Sequence, residues 1–144
     1  MIITIINGPN LNMLGKRDPE IYGSETFDDT LHALRASRPD VEIRYFQSNS
    51  EGEIINVLQR ESHDPEVNGI VMNPGAYAHY SYAIADAVAD SPLPVIEVHI
   101  SNIHARETFR ATSVTARAAT AVIAGCDRKG YQLALDFILN PSIS

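Results

Sequence analysis

Several features common in secreted or membrane proteins are missing from this 144-residue chain. Cys126 is its single cysteine, so no internal disulfide can form and a reducing compartment, the cytoplasm, is expected. No apolar run approaches the roughly 20 residues that a membrane helix requires. The first residues carry no basic segment of the kind that begins a secretory signal. We therefore expect a cytoplasmic protein that has no membrane partner.

Positive charge is also scarce. Eleven lysines and arginines stand against 18 aspartates and glutamates, which gives a net charge of -7. The basic residues are not clustered, so a surface that follows nucleic-acid phosphates is not expected. The two lysines, Lys16 and Lys129, lie outside the apolar strands in which burial could make an amine nucleophilic. The composition therefore argues against nucleic-acid binding and against catalysis through a lysine imine.

Motifs for common cofactors and nucleophiles are absent as well. Gly8 is isolated, so neither a dinucleotide fingerprint nor a Walker loop follows the first apolar segment. No serine lies in a Gly-x-Ser-x-Gly elbow. His99 and His104 have no second cysteine or compact ligand group beside them. We therefore expect neither a metal nor an organic cofactor.

The apolar pattern alternates between strands and helices five times. Short β-branched runs predict strands at residues 2–7, 41–46, 69–72, 94–98 and 120–124. The first run is β-branched and mostly apolar from Ile2 to Ile6, which is typical of a strand buried on both faces. The second alternates apolar and charged residues, as an edge strand with one wet face does.

Amphipathic segments between these strands predict the helices. The first helix is expected to begin near Thr26 and to end before Pro39, and Ser50 with Glu53 predicts a capping box for the second. The predicted apolar faces are Phe27, Leu31 and Leu34; Ile54, Ile55, Val57 and Leu58; Tyr80, Ala83, Ile84, Ala87 and Val88; and Tyr131, Ala134, Leu135, Ile138 and Leu139. Together the elements predict one α/β domain over residues 1–144, a flavodoxin-like three-layer sandwich with a five-stranded parallel sheet.

A long polar connection follows the first strand, over residues 10–23. Long connections in compact domains are usually functional or disordered, and this one carries apolar residues among its charges. We interpret it as an active-site loop or lid that places Arg17 beside Tyr22.

Polar side chains follow four of the predicted strands, at the edge where parallel α/β sheets bind ligands. They are Asn7, Asn10, Arg17 and Tyr22; Gln47, Ser48 and Asn49; Asn73, Gly75 and His79; and His99, Ser101, Asn102, Arg106 and Arg110. Donors and positive charge predominate there, which suits a small polar anion such as a hydroxylated carboxylic acid. Ordinary structural roles are also open: Tyr22 as a packed loop aromatic, and His99 as a hydrogen-bonded core histidine.

Non-catalytic modules share this fold class. A receiver domain needs acidic residues where this chain has Asn7 and Asn73, and an FMN module needs a hydroxyl-rich loop after the first strand, so both fit poorly. A protein that only binds hydroxy acids stays an alternative to an enzyme.

Four segments resemble one known family, the type II 3-dehydroquinate dehydratases of the shikimate pathway. They are INGPNLNMLGKRDPEIYG (6–23), QSNSEGEII (47–55), NPGAYAH (73–79) and EVHISNIHARETFR (97–110), and the likeness extends over nearly the whole chain. The resemblance implies a flavodoxin-like fold and trans elimination of water from 3-dehydroquinate. The product would be 3-dehydroshikimate, formed through an enolate without metal or organic cofactor.

The same resemblance implies a role for each catalytic residue. Tyr22 corresponds to the base that removes the C2 proton, and Arg17 to the group that keeps that tyrosine ionised. His99 corresponds to the acid that protonates the departing C1 hydroxyl, and Glu97 to the carboxylate that orients it. Asn10 is expected to hold a water that stabilises the enolate.

Substrate contacts and assembly are implied in the same way. The positions that match substrate contacts are Asn73, His79, Ile100, Ser101 and Arg110, and Asp86 matches a residue that reaches the site from a neighbouring subunit. The family assembles as trimers that group into dodecamers. The chain departs from the family pattern at Tyr80, Tyr82, Thr115-Ala116-Arg117 and Cys126-Asp127, near expected subunit contacts.

A tyrosine that acts as a base needs nearby positive charge to lower its pKa. A free tyrosine has a pKa of about 10, so acting as a base near neutrality requires a depression of about 3 units. One adjacent cation supplies about 1–3 units, so Arg17 alone is barely sufficient. We therefore predict a second cation beside Tyr22 and assign that role to Arg106.

Overall fold

The computed structural model describes residues 1–16, 19–140 and 142–143, apart from the side chains of Ile21 and Tyr22. In this part of the chain the strands are β1 (Ile2–Asn7), β2 (Glu42–Gln47), β3 (Val67–Asn73), β4 (Val95–His99) and β5 (Ala121–Ala124). All neighbouring strands run parallel, in the order β2-β1-β3-β4-β5. This is the flavodoxin-like order, so the predicted fold class is confirmed.

The burial of the strands follows their sequence patterns. β1 lies second in the sheet, and every residue from Ile3 to Asn7 is buried. β2 lies at an edge, where Ile43 is buried and Glu42 is exposed. The prediction of a first strand buried on both faces and a second strand at the edge is therefore confirmed.

Every strand except β1 has at least one boundary that differs from the predicted one by one or two residues. β3 begins at Val67 rather than at residue 69, because Asn68 is drawn into the sheet by a 2.9 Å hydrogen bond from the Ile2 amide to its Oδ1. β4 extends to His99, which pairs with Ala124 of β5. A histidine can end a buried strand here because its ring has a hydrogen-bond partner within the same strand.

Helices cover both faces of the sheet. They are α1 (Pro19–Tyr22), α2 (Phe27–Ser37), α3 (Glu51–Ser62), α4 (Tyr82–Ala89) and α5 (Lys129–Leu139). α2 and α5 bury one core together with Ile3 and Ile5, and α3 and α4 bury a second core together with Ile6. The three-layer arrangement follows from a first strand that is apolar on both sides. No helix in the described residues has the length and apolarity to cross a membrane.

The helix starts depend on capping side chains. Thr26 and Asp29 form a complete capping box at α2. The box predicted at α3 is wrong in one half: Ser50 Oγ accepts from the Glu53 amide at 3.3 Å, but the Glu53 carboxylate binds the Ser48 hydroxyl at 3.0 Å. The Ser50 amide donates to that same Ser48 hydroxyl, also at 3.0 Å, so it has no need of Glu53.

The predicted face of the third helix is partly wrong. α4 begins at Tyr82 because Ser81 Oγ accepts a 3.1 Å hydrogen bond from the Ile84 amide and so caps the helix there. Ile84 is buried as predicted, as are Ala87 and Val88, whereas Tyr80 lies before the helix and is exposed along with Ala83. The prediction for the last helix is confirmed, since Tyr131, Ala134, Leu135 and Ile138 are buried and Leu139 packs against them.

Candidate active site

A cleft of about 500 Å³ opens at the carboxyl edge of the sheet. This is the edge at which parallel α/β sheets bind ligands. Seven of the predicted site residues line the cleft: Asn10, Asn73, His79, His99, Ile100, Ser101 and Arg110. Arg106, assigned from the sequence as a second cation, also lines it. The structure therefore brings together residues that are up to 100 positions apart in the sequence.

His99 lines the cleft and forms a buried pair with Glu97, which lies behind it and does not line the cleft. Both belong to β4, and their side chains lie on the same face because strand residues two apart do so. His99 Nε2 lies 2.8 Å from Glu97 Oε2, and the two side chains are 6% and 2% exposed. Because a carboxylate can only accept, Nε2 carries a hydrogen and Nδ1 is left for a molecule in the cleft.

The Glu97 carboxylate accepts from three donors. Besides His99, the Ser113 hydroxyl donates to Oε2 at 2.7 Å and the Thr115 hydroxyl donates to Oε1. Burial acts to raise the pKa of Glu97, but the hydrogen bonds from His99, Thr115 and Ser113 together outweigh it and lower the pKa below its usual value. Glu97 is therefore ionised at neutral pH despite its burial.

His79 lies against His99 at the mouth of the cleft. The two rings are stacked with centroids 6.5 Å apart, and Phe109 meets the His79 ring edge-on at 5.8 Å. His79 Nδ1 lies 2.8 Å from the Thr112 carbonyl oxygen, so Nδ1 carries a hydrogen. This contact fixes the ring and leaves its Nε2 side for a ligand.

A buried hydrogen-bond network holds the floor of the cleft. Asn73 Nδ2 donates to the Tyr131 hydroxyl at 3.0 Å, and that hydroxyl donates to Asn7 Oδ1 at 2.8 Å. Asn73 Oδ1 accepts from the Gly75 amide at 3.1 Å, which fixes the orientation of the side-chain amide. Burial raises the pKa of Tyr131 well above its ordinary value, so this phenol stays protonated and keeps donating.

Two arginines supply positive charge at the rim. Arg110 Nε is paired with Glu107 at 3.0 Å, and its guanidinium lies 4.9 Å from the centre of the Phe109 ring. Arg106 Nη1 lies 3.5 Å from Ser101 Oγ. Among the described residues Arg106 has no carboxylate within salt-bridge distance, so its charge remains available to an anion in the cleft.

Asn10 follows β1 and forms part of one wall of the cleft. Its φ of 69° is in the left-handed region, which asparagine tolerates better than most residues. Its amide donates to Asn49 Oδ1 at 3.0 Å, which ties the wall to the loop after β2.

The described residues do not place Arg17, the Tyr22 side chain or Asp86 in the cleft. Arg17 lies outside the described residues, and so does the Tyr22 side chain, although the backbone of Tyr22 ends α1. The predicted proximity of these two side chains stays a prediction. Asp86 is exposed on α4 and does not line the cleft of this chain.

The polar side chains that line the cleft supply hydrogen-bonding and acid–base groups, and they lie beside apolar side chains such as Leu11, Met13 and Ile103. Both lysines are exposed, at positions 16 and 129, so neither amine is desolvated. Within the described part of the chain, no three histidine, cysteine or acidic side chains come close enough to hold a metal ion. The arrangement suits binding of a polar anion and transfer of protons.

Sequence reasoning missed the residues that support the site from behind. Ser113 and Thr115 follow β4 by more than a dozen residues in an irregular segment without apolar periodicity. Tyr131 was predicted as an apolar core residue, which is correct for its ring but not for its hydroxyl. A fully buried tyrosine hydroxyl needs a partner, and that rule was the one available signal.

Comparison with known proteins gives a consistent result. A family model described as Dehydroquinase class II matches residues 1–139. The chain is 51% identical over 140 residues to the 3-dehydroquinate dehydratase of Thermotoga neapolitana, covering 96% of this chain and 94% of that protein. It is 50% identical over 145 residues to that of Lachnoclostridium phytofermentans, covering 99% of each.

A solved structure agrees with these relatives. The type II dehydroquinase of Butyrivibrio crossotus superposes with a TM-score of 0.90 at 45% identity, covering 97% of this chain and 98% of that one. The resemblance seen in the sequence is thereby confirmed. The chain belongs to the class II dehydroquinase family.

Proposed function

We propose that the protein is a 3-dehydroquinate dehydratase, a lyase of the shikimate pathway. It eliminates water in trans from 3-dehydroquinate and forms 3-dehydroshikimate through an enolate. The family membership and the names of relatives at about half identity support this reaction. The observation that carries the mechanism is the buried pair of Glu97 and His99, which opens into the cleft at the carboxyl edge of the sheet.

His99 acts as the acid. When its ring is protonated, Nε2–H is held by Glu97 and Nδ1–H can be given to the C1 hydroxyl as the C–O bond breaks, so that water leaves. The ionised carboxylate compensates the positive charge on the ring in a site that excludes most water. His99 is then neutral and regains its proton before the next turnover.

Tyr22 acts as the base that removes the C2 proton, and Arg17 stabilises its phenolate. The electrons of the C–H bond form the enolate, and they expel the C1 hydroxyl in the second step. Tyr131 and Tyr45 suit the role poorly, because burial raises the pKa of both and makes them weaker candidates for a phenolate at neutral pH.

The remaining cleft residues bind the substrate. The proposed contacts are Asn73, His79, Ile100, Ser101 and Arg110, and Asn10 holds a water against the enolate oxygen. Hydrogen-bond donors and the guanidinium of Arg110 suit the carboxylate and hydroxyl groups of 3-dehydroquinate. Because the Asn73 amide is fixed by Tyr131 and by Gly75, it meets the substrate without first losing rotational freedom.

Assembly and location are part of the proposal. We propose a trimer-based dodecamer in which Asp86 of one subunit reaches the cleft of another, which is consistent with its exposure on α4. We also propose a cytoplasmic location, since the single cysteine is a free thiol.

The test is to add 3-dehydroquinate to the full chain and follow the conjugated enone of the product in the ultraviolet. Wild type turns over, Tyr22→Phe loses most turnover but still binds product, and His99→Ala loses kcat by about 10²–10⁴-fold with a smaller change in KM. Matched controls are Tyr82→Phe and His63→Ala, both exposed and outside the cleft. Binding of 3-dehydroquinate without any turnover by wild type would leave a hydroxy-acid binder and overturn the proposal.

A second arm tests for covalent chemistry. Borohydride added together with substrate leaves the enzyme active, because no buried lysine is available for an imine. Inactivation that depends on substrate would contradict the enolate route.

A further inference from the structure

Two hydroxyl groups lie beside Glu97 and do not line the cleft. Thr115 is fully buried and Ser113 is half-buried, and both belong to the irregular segment before β5. They bind different oxygens of the carboxylate, Thr115 to Oε1 and Ser113 to Oε2. Oε2 is also the oxygen that meets His99 Nε2. The carboxylate is therefore held on both sides.

The direction of these hydrogen bonds follows from counting hydrogens. Each hydroxyl has one hydrogen. Ser113 Oγ lies 2.7 Å from Glu97 Oε2 but 3.1 Å from Thr115 Oγ1, so its hydrogen points at the carboxylate rather than at its neighbour. Ser113 Oγ in turn accepts from the Ala116 amide at 3.1 Å, which fixes the hydroxyl in position.

The rest of the surroundings favour the neutral carboxyl. Met72 and Val122 flank Glu97 in the neighbouring strands, and α4 packs on the same face as Met72 through apolar side chains. In the described part of the chain His99 is the titratable group that contacts Glu97, and His79 stacks beyond it. No lysine or arginine is paired with this carboxylate among those residues, so its charge depends on His99 and the two hydroxyls.

We propose that Ser113 and Thr115 are positioning residues for the dehydration, which hold Glu97 ionised and fixed so that it can orient His99. The kinetic part of this inference rests on the proposed function. The structural part does not, because the state of Glu97 can be measured without substrate. Neither hydroxyl touches the substrate in this assignment, so their effect reaches the reaction only through Glu97.

The test compares Thr115→Val with Thr115→Ser in the full chain. Valine keeps the shape of threonine and removes the hydroxyl, whereas serine keeps the hydroxyl and removes a methyl group. The titration of the Glu97 side-chain carboxyl is followed by carbon-13 NMR and assigned with Glu97→Gln. Thr115→Val raises the midpoint by about one pH unit, and Thr115→Ser keeps it low.

Kinetics supply the second readout. Thr115→Val lowers kcat several-fold with KM unchanged, since the lost contact acts on the acid and not on substrate binding. A merely structural threonine would give the opposite order, with the cavity of Thr115→Ser more harmful than the isosteric valine. Should Thr115→Val fail to fold, Ser113→Ala removes the other donor at a half-exposed position and raises the midpoint in the same direction.

Thr4→Val is the matched control. Thr4 is also fully buried, and its hydroxyl donates to the buried carboxylate of Glu61 at 2.8 Å, away from the cleft. This variant removes the same type of hydrogen bond and leaves the Glu97 midpoint and kcat unchanged. An equal effect of Thr4→Val and Thr115→Val, or an unmoved midpoint in Thr115→Val, would overturn the inference.

The two proposals fail in different ways. If wild type does not dehydrate 3-dehydroquinate, the proposed function fails, while the NMR titration still decides whether the hydroxyls keep Glu97 ionised. If wild type is active but Thr115→Val titrates like wild type, the function stands and the role of the hydroxyls is refuted.

Discussion

Tyr131 and Asn73, 58 residues apart in the sequence, meet in a buried 3.0 Å hydrogen bond beneath the cleft. The helix that carries Tyr131 packs on one face of the sheet, and Asn73 ends the central strand β3. The packing of the core and the orientation of the Asn73 amide, which we propose binds substrate, are therefore set by the same side chain. Stability and substrate binding should respond together when that hydroxyl is removed.

Tyr131→Phe tests this coupling. The ring still fills the core, but Asn73 Nδ2 and Asn7 Oδ1 each lose a partner, so we expect a loss of about 1–3 kcal/mol in the free energy of unfolding. KM should rise more than kcat falls, because the amide is loosened before substrate binds. Urea unfolding and steady-state kinetics measure the two effects. Tyr80→Phe, at an exposed position, is the control, and an unchanged KM in Tyr131→Phe would refute the link.

The sequence predicts correctly which residues are buried where apolar residues recur with the period of a strand or a helix. β1 and α5 bury the residues that their apolar patterns predict, because burial on strands and helices repeats with the backbone. The sequence predicts a helix boundary poorly where a single hydrogen bond sets it. Ser81 caps α4, so this helix begins later than the apolar pattern suggests.

The candidate site shows the same division. Residues that directly follow the strands could be assigned to the site from the sequence, since parallel strands bring their carboxyl ends to one edge of the sheet. Ser113 and Thr115 could not, because their partner Glu97 is 16 and 18 positions away and no periodicity connects them. Such contacts depend on how an irregular segment crosses the sheet, which local propensity does not determine.

Arg106→Ala tests the electrostatics of the proposed base. Arg106 lines the cleft and contacts Ser101 at 3.5 Å. In the proposed mechanism its positive charge favours a phenolate on Tyr22. Its removal should raise the pKa assigned to the base in the pH profile of kcat/KM by about one unit. Arg17→Ala should shift it in the same direction, and Arg17→Lys should not restore it, since an ammonium lacks the forked geometry of a guanidinium.

Arg38→Ala controls for the change in net charge. Arg38 follows α2 and is paired with Asp40 at 3.0 Å, outside the cleft. It should leave the pH profile in place. A profile of Arg106→Ala that superposes on wild type would remove Arg106 from the proposed mechanism.

Glu97→Gln should change how stability depends on pH. The folded-state pKa of Glu97 is lowered, so its charge stabilises the fold above the unfolded value of about 4.3, and that contribution is lost as pH falls through the folded pKa. The difference in unfolding free energy between wild type and Glu97→Gln should therefore be largest near pH 7 and shrink below about pH 4. Urea unfolding at several pH values measures it. A difference that stays constant over this range would contradict the ionised assignment, and exposed Glu66→Gln serves as the control.

Gly8→Ala tests how closely β1 and β3 must approach at the cleft. A Cβ on Gly8 would lie 2.6 Å from the Pro74 carbonyl oxygen, and the Gly8 amide already donates to the Asn73 carbonyl at 2.7 Å. Because both contacts are with backbone, they can relax only by moving the strand ends apart, so we expect a loss of about 1–3 kcal/mol in unfolding free energy and a higher KM. Gly52→Ala is the matched control: in α3 its Cβ would meet nothing closer than 3.9 Å, and alanine should stabilise that helix by about 0.5–1 kcal/mol. Urea unfolding distinguishes the two, and equal stability of both variants would show that the two strand ends have room to separate without cost.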